Sequence, residues 1–185
     1  MFIETEVTPN PETIKFLPGS VVVEDGSVNF PDKESASISP LATDLFRIED
    51  VRGVFLGHDF VAVTKDEVSD WEVVKPIILT SLMQFFSSGR PVLTGEAIVE
   101  AEMQERPEDA EVIAQIKDIL EKQVRPAVAQ DGGDIIFKGY FEGVVHLKMQ
   151  GACSGCPSST ITLKHGIENL LKHYVPEVTE VRAAD

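Results

Sequence analysis

From position 2 to 7, Phe2, Glu4 and Glu6 on one side interleave with Ile3, Thr5 and Val7 on the other, and this period of two predicts a β-strand. Thr8-Pro9-Asn10-Pro11 ends it, because proline lacks the amide that a ladder needs and restricts the residue before it. A second short strand is expected over residues 14–17, stopped by Pro18-Gly19. Val21-Val22-Val23 and Ser27-Val28-Asn29-Phe30 flank Asp25-Gly26, a dipeptide suited to a tight turn, and predict a hairpin. A clearer hairpin joins residues 52–56 and 60–64 at Gly57-His58-Asp59, with Val54, Leu56, Phe60 and Ala62 or their neighbours turned inward.

Elsewhere the spacing is helical. Ser39-Pro40 offers a capping hydroxyl and a first-turn proline ahead of Leu41, Leu45 and Ile48 on one face. Ser69 or Asp70 can cap a helix that buries Trp71, Val74, Ile78, Leu82 and Phe85, with a bend expected at Pro76. The spacing of Trp71 and Phe85 is that of a buried face rather than a cofactor stack.

Residues 108–124 place Ile113, Ile116, Leu120 and Val124 on one side of a helix that Pro126 kinks or restarts. Asp131-Gly132-Gly133-Asp134 then turns the chain sharply into strands at 135–139 and 144–149, joined through Tyr140-Phe141-Glu142-Gly143. A last helix starts at Pro157 and carries Leu163, Ile167, Leu170, Leu171 and Tyr174, ahead of a short strand at 177–181.

Between residues 89 and 107 the periodicity fades and acids accumulate, which marks a linker. The expected architecture is α+β: a domain over 1–88, the linker, and a second domain over 108–185 in α-β-β-α-β order. The first domain has no cysteine, no glycine-rich phosphate loop and no recognisable Ser/His/Asp set. His58 reads as a solvated turn residue, with no second histidine or cysteine near it in sequence.

A hydrophobic fraction of 43% over 185 residues supplies packed cores. The net charge of −15 argues against nucleic acid and anionic membrane surfaces as partners, since no Lys/Arg stripe is available to displace counterions. No apolar run approaches the roughly 18 residues of a membrane span. Met1-Phe2-Ile3-Glu4-Thr5-Glu6 has neither a basic start nor an apolar stretch, so the expected location is a bacterial cytoplasm, where thiols stay reduced.

The chain has two cysteines, Cys153 and Cys156, in Gly151-Ala152-Cys153-Ser154-Gly155-Cys156-Pro157-Ser158-Ser159. A C-x-x-C pair can close a disulfide, grip half of a tetrahedral zinc site, or supply half the thiolates of an iron-sulfur cluster. Its place at a helix start is expected to favour thiolate over thiol, and its small neighbours leave room for a bulky inorganic core. Four ligands are normally needed, so a thiolate-only site must be completed by a second copy of the chain. Completion within one chain would call on His146, His165 or His173, which read as surface or core residues instead.

Three other readings stand beside the cluster: a thiol-disulfide oxidoreductase, a structural zinc site shared by two chains, and an unliganded reduced pair. The expected strand order, with the motif after a hairpin strand rather than in a parallel β-α-β unit, weighs against the oxidoreductase.

Asp131-Gly132-Gly133-Asp134, the cysteine loop and Thr162-Leu163-Lys164 together resemble the C-terminal domain of NifU, the Nfu-type iron-sulfur scaffold and carrier family. Thr5-Glu6-Val7-Thr8-Pro9-Asn10-Pro11, Lys15-Phe16-Leu17-Pro18-Gly19, Ser39-Pro40-Leu41-Ala42, Leu45-Phe46 and Asp59-Phe60 resemble the N-terminal domain of mitochondrial and alphaproteobacterial Nfu proteins. The resemblance implies a 4Fe-4S cluster bridged across a homodimer, with Cys153 and Cys156 as both cluster-binding and metal-ligand positions. It further implies upstream cluster donors and apo-protein recipients, served by ligand exchange in a carrier that is not an enzyme.

Overall fold

Strand β1 (Glu4–Val7) pairs antiparallel with β2 (Thr13–Leu17), and β2 continues into a five-stranded antiparallel sheet with β3 (Val28–Phe30), β4 (Val51–Leu56) and β5 (Val61–Lys65). Its spatial order is β1-β2-β5-β4-β3. The computed structural model describes residues 2–24, 26–94, 106–154 and 157–184, with the backbone alone at 157–159. The chain divides into two compact units, 1–98 and 99–185.

The first unit follows its patterning closely. Register pairs Val54 with Val63 and Leu56 with Val61, so these four face the core with Phe16 and Phe30. Helix α1 (Pro40–Leu45) and helix α2 (Trp71–Ser88) cover that face with Leu41, Leu45, Val74, Ile78, Leu82 and Phe85. Phe55 and Phe60 take the opposite face, with ring centroids 5.9 Å apart.

The helix ends are capped as expected: Ser39 Oγ accepts from the Ala42 amide at 3.1 Å, and Asp70, rather than Ser69, accepts from the Glu72 amide at 2.9 Å. Helix α2 runs through Pro76 as one element and ends at Gly89 with φ 67°. The Trp71 indole donates to the Pro11 carbonyl at 2.9 Å, a structural role.

One expectation for this unit is corrected. Residues 21–23 form no strand, because the Val22 and Val23 amides both donate to the His58 carbonyl, at 2.7 and 3.3 Å, and so leave no ladder for a hairpin about Asp25-Gly26. Asp25 itself lies outside the described residues. The exposed His58 ring, for its part, bonds through Nδ1 to the Val23 carbonyl at 2.9 Å and ties the turn to this loop.

Residues 92–94, inside the expected linker, are held to the first unit. Ser39 Oγ donates to the Val92 carbonyl at 2.7 Å and the Thr94 amide to the Ile38 carbonyl at 2.8 Å. Residues 95–105 of the linker lie outside the described residues.

The second unit begins with helix α3 (Ala110–Ile119), which passes through a π-helical turn at Leu120–Val124 into helix α4 (Arg125–Gln130). Pro126 has no amide for the Lys122 carbonyl, and the ladder shifts ahead of it; the expected restart takes this form. Strands β6 (Gly133–Phe141) and β7 (Val144–Gly151) form a hairpin longer than predicted. Its turn contracts to Glu142 and Gly143, with φ of 48° and 84°, the left-handed pair that a two-residue hairpin turn requires.

Helix α5 (Pro157–Tyr174) follows the cysteine loop and leads to β8 (Glu180–Ala183), shifted toward the C-terminus of the predicted strand. Strand β8 pairs parallel with β7, so β7, α5 and β8 form a parallel β-α-β crossover. The topological argument against an oxidoreductase therefore does not hold. Ile113, Ile116, Leu120 and Val124 pack over Ile135, Phe137, Val145, Leu147, Ile167 and Leu171 in a second core.

Candidate metal centre

Gly133 opens β6 and Gly151 closes β7, and the two are register partners at the open end of the hairpin. Gly132 and Gly151, with φ of 79° and 65°, take the left-handed conformation that bends the chain into and out of this end. The Ala152 amide donates to the Gly132 carbonyl at 3.1 Å, while the Ser154 amide and hydroxyl both donate to the Gly151 carbonyl, at 3.1 and 2.9 Å. Thr160 Oγ1 in the first turn of α5 donates to the Cys153 carbonyl at 3.1 Å, which ties the loop to the helix. The glycine-glycine turn and the cysteine loop thus form one hydrogen-bonded unit.

Cys153 is buried within it, 7% exposed, and belongs to the second core. Its Sγ rests against Gly133: a Cβ there would collide with Cys153 Sγ and approach the Gln150 carbonyl to 2.8 Å. Burial, with the charges of Asp131 and Asp134 adding to it, pushes the Cys153 thiol up to about 12. This runs against the expectation that the helix start favours thiolate at this position: loss of solvent and two nearby carboxylates favour the thiol. Cys156 and Gly155 lie outside the described residues.

Sequence reasoning missed the partner of Asp134. Arg125 donates through Nε and NH2 to the two carboxylate oxygens at 2.9 and 2.8 Å, and through NH1 to Glu121 at 2.6 Å. Asp134 Oδ1 also accepts from the Ile135 amide at 2.8 Å. These bonds fix the start of β6, and with it the Gly133 surface under Cys153. The signal available was an arginine one residue before Pro126 and an acid directly after two glycines, too sparse to pair on spacing alone.

The histidines do not converge. His146 lies on β7, and His165 and His173 lie on α5, with the His173 ring edge-on to Tyr174 at 4.9 Å. Among the described residues no group of three or more His, Cys, Asp or Glu side chains can hold a metal ion. No described helix is long and apolar enough to cross a membrane.

Fold and sequence together define a class: a two-unit α+β protein whose C-x-x-C pair falls in the sequence between a strand and a helix. Residues 116–182 match the NifU-like domain, and residues 3–89 match the scaffold protein Nfu/NifU N-terminal domain. Over 182 residues the chain is 50% identical to "NFU1 iron-sulfur cluster scaffold homolog, mitochondrial" of Homo sapiens, covering 98% of this chain and 71% of that protein. The namesake of Drosophila sechellia is also 50% identical over 182 residues, and the chain spans 64% of its length. A solution structure of a NifU-like protein from Saccharomyces cerevisiae is 26% identical, covering 52% of this chain and 87% of that one, with a TM-score of 0.45. The chain belongs to the Nfu family of iron-sulfur cluster scaffold proteins.

The relatives also correct the expected location. Their printed names place them in mitochondria, against the bacterial cytoplasm read from residues 1–6.

Proposed function

We propose that two copies of this chain hold one 4Fe-4S cluster between them through Cys153 and Cys156 of each, and pass it to apo-proteins. The observation that carries this reading is the cysteine count: a member of a cluster-scaffold family with only two thiols can supply half of a four-thiolate set. The mitochondrial names of the relatives support the mitochondrion as the compartment.

Transfer on this reading is ligand exchange. A recipient thiolate bonds to an iron as the bond to Cys153 or Cys156 breaks, and the released cysteine takes up the proton that the recipient thiol gives up. The pocket against Gly133 gives the released Cys153 a packed position in the core. No substrate bond is made or broken at a catalytic group, so the protein acts as a carrier and not as an enzyme.

The parallel crossover favours one second reading, thiol-disulfide exchange. That chemistry uses an accessible, easily ionised thiol as the attacking group, and buried Cys153 has the opposite character. Anaerobic transfer to an apo 4Fe-4S protein in the presence of an iron chelator tests the proposal. Recipient loading unchanged by chelator is expected, and loading abolished by chelator would contradict direct transfer.

A further inference from the structure

The thiol loop and the first turns of α5 lie in a long uncharged window. Residues 149–163 contain no Asp, Glu, Lys or Arg, in a chain that is 25% charged and carries a net charge of −15. Two such copies repel each other wherever acidic surfaces meet, and this window adds no acid of its own, although Asp131, outside it, lies near enough to act on the Cys153 thiol.

Within this window Ile161 is 57% exposed, while Ile167 and Leu171 of the same helix are buried. Its neighbour Thr160 holds the Cys153 carbonyl at 3.1 Å, and Ile161 lies about 6 Å along the helix from Pro157 at 1.5 Å per residue. The other exposed large apolar side chains described in this unit have ring contacts: Phe141 stacks with Arg106 at 4.0 Å, and Tyr174 lies edge-on to His173 at 4.9 Å. Ile161 is the exposed large aliphatic side chain at the thiol end of α5 among the described residues.

We infer that Ile161 is a contact between two copies of this chain, buried by the second copy when the two cysteine loops face each other across the cluster. The inference rests on the shared-cluster reading above. The second copy is the occupant because a four-thiolate site must bring another cysteine loop beside this side chain. The surface does not hold two metal-free copies together by itself: one isoleucine per copy is far smaller than the apolar area of a stable dimer interface. It strengthens a pairing that the cluster bridges.

The test uses the full chain, reconstituted anaerobically with iron and sulfide, as wild type, Ile161→Asp, Ile161→Ser, Ile161→Leu and Tyr174→Asp. Cluster content is read from visible absorption and oligomeric state from anaerobic sizing, with thermal melting of the metal-free proteins as the folding control. Ile161→Asp is expected to lower the dimeric, cluster-loaded fraction at limiting concentration by roughly tenfold or more, and Ile161→Ser by less. Ile161→Leu and Tyr174→Asp are expected to match the wild type. Dimer formation and loading by Ile161→Asp and Ile161→Ser equal to wild type would overturn this inference and leave the shared cluster standing. A wild type that takes up a full cluster as a monomer would overturn the shared-cluster reading itself.

Discussion

The thiol of Cys153 occupies the space that a side chain at Gly133 would fill. The first cysteine of the motif is therefore placed by a glycine twenty residues upstream, at the other strand of the hairpin. Gly133→Ala is expected to drive its new Cβ into Sγ and toward the Gln150 carbonyl, and to destabilise the second unit by roughly 1–3 kcal/mol. Urea unfolding checks the loss of stability. Reduced iron uptake at a temperature where the variant remains folded checks the link to the thiol.

Arg125 and Asp134 form a second such pair. The Asp134 side chain is 7% exposed and that of Arg125 31%, so removing the arginine leaves a buried carboxylate without its bidentate partner. Arg125→Met is expected to cost about 2 kcal/mol, less than for a fully buried pair because water screens the arginine. Arg125→Lys should recover only part of this, since a lysine cannot form both bonds at once. Denaturant midpoints of the three proteins rank the effects.

The buried thiol also sets a pH dependence. The Cys153 thiol titrates at about 12 in the fold against an ordinary value of 9.0, so the unfolded chain gives up this proton first as pH rises. Its contribution to stability is fully present below pH 9 and is lost toward pH 12, by up to about 1.4 kcal/mol per pH unit. Comparing metal-free Cys156→Ser with Cys153→Ser/Cys156→Ser isolates this contribution from lysines and tyrosines that titrate in the same window. In Cys156→Ser protein at pH 8, alkylation of Cys153 is expected to run about tenfold or more slower when folded than in urea.

At the other end of the hairpin, Gly143 has φ 84°, and its carbonyl accepts from Thr179 Oγ1 and the Thr179 amide at 3.1 and 2.8 Å. A Cβ there would meet Thr179 Oγ1 at 2.7 Å. Gly143→Ala is expected to cost roughly 1–2 kcal/mol from the left-handed backbone alone, with the clash adding to it. Thermal melting checks the total.

Much of this architecture is legible locally. Ser39-Pro40 and Asp70 start their helices where hydroxyl and carboxylate caps place them, and the α-β-β-α-β order of the second unit follows from periodicity and two glycine-bounded turns. What escapes is set by distant partners. Val22 and Val23 have strand-forming side chains, yet their amides go to His58, thirty-five residues from Val23. The parallel pairing of β8 with β7 depends on how α5 crosses the sheet, which no local pattern states. The cysteine motif marked the candidate site by its residue types, while the burial of Cys153 came from the Gly133–Gly151 pairing and could not be read from the loop.

The central claim is a cluster shared by two chains, and its most direct test is iron and sulfide content measured with molar mass on one anaerobically reconstituted sample. The expected result is a brown dimer with about two iron and two sulfide per chain, both lost in Cys153→Ser. A colourless monomer, or a Cys153→Ser protein that keeps its full cluster content, would contradict it.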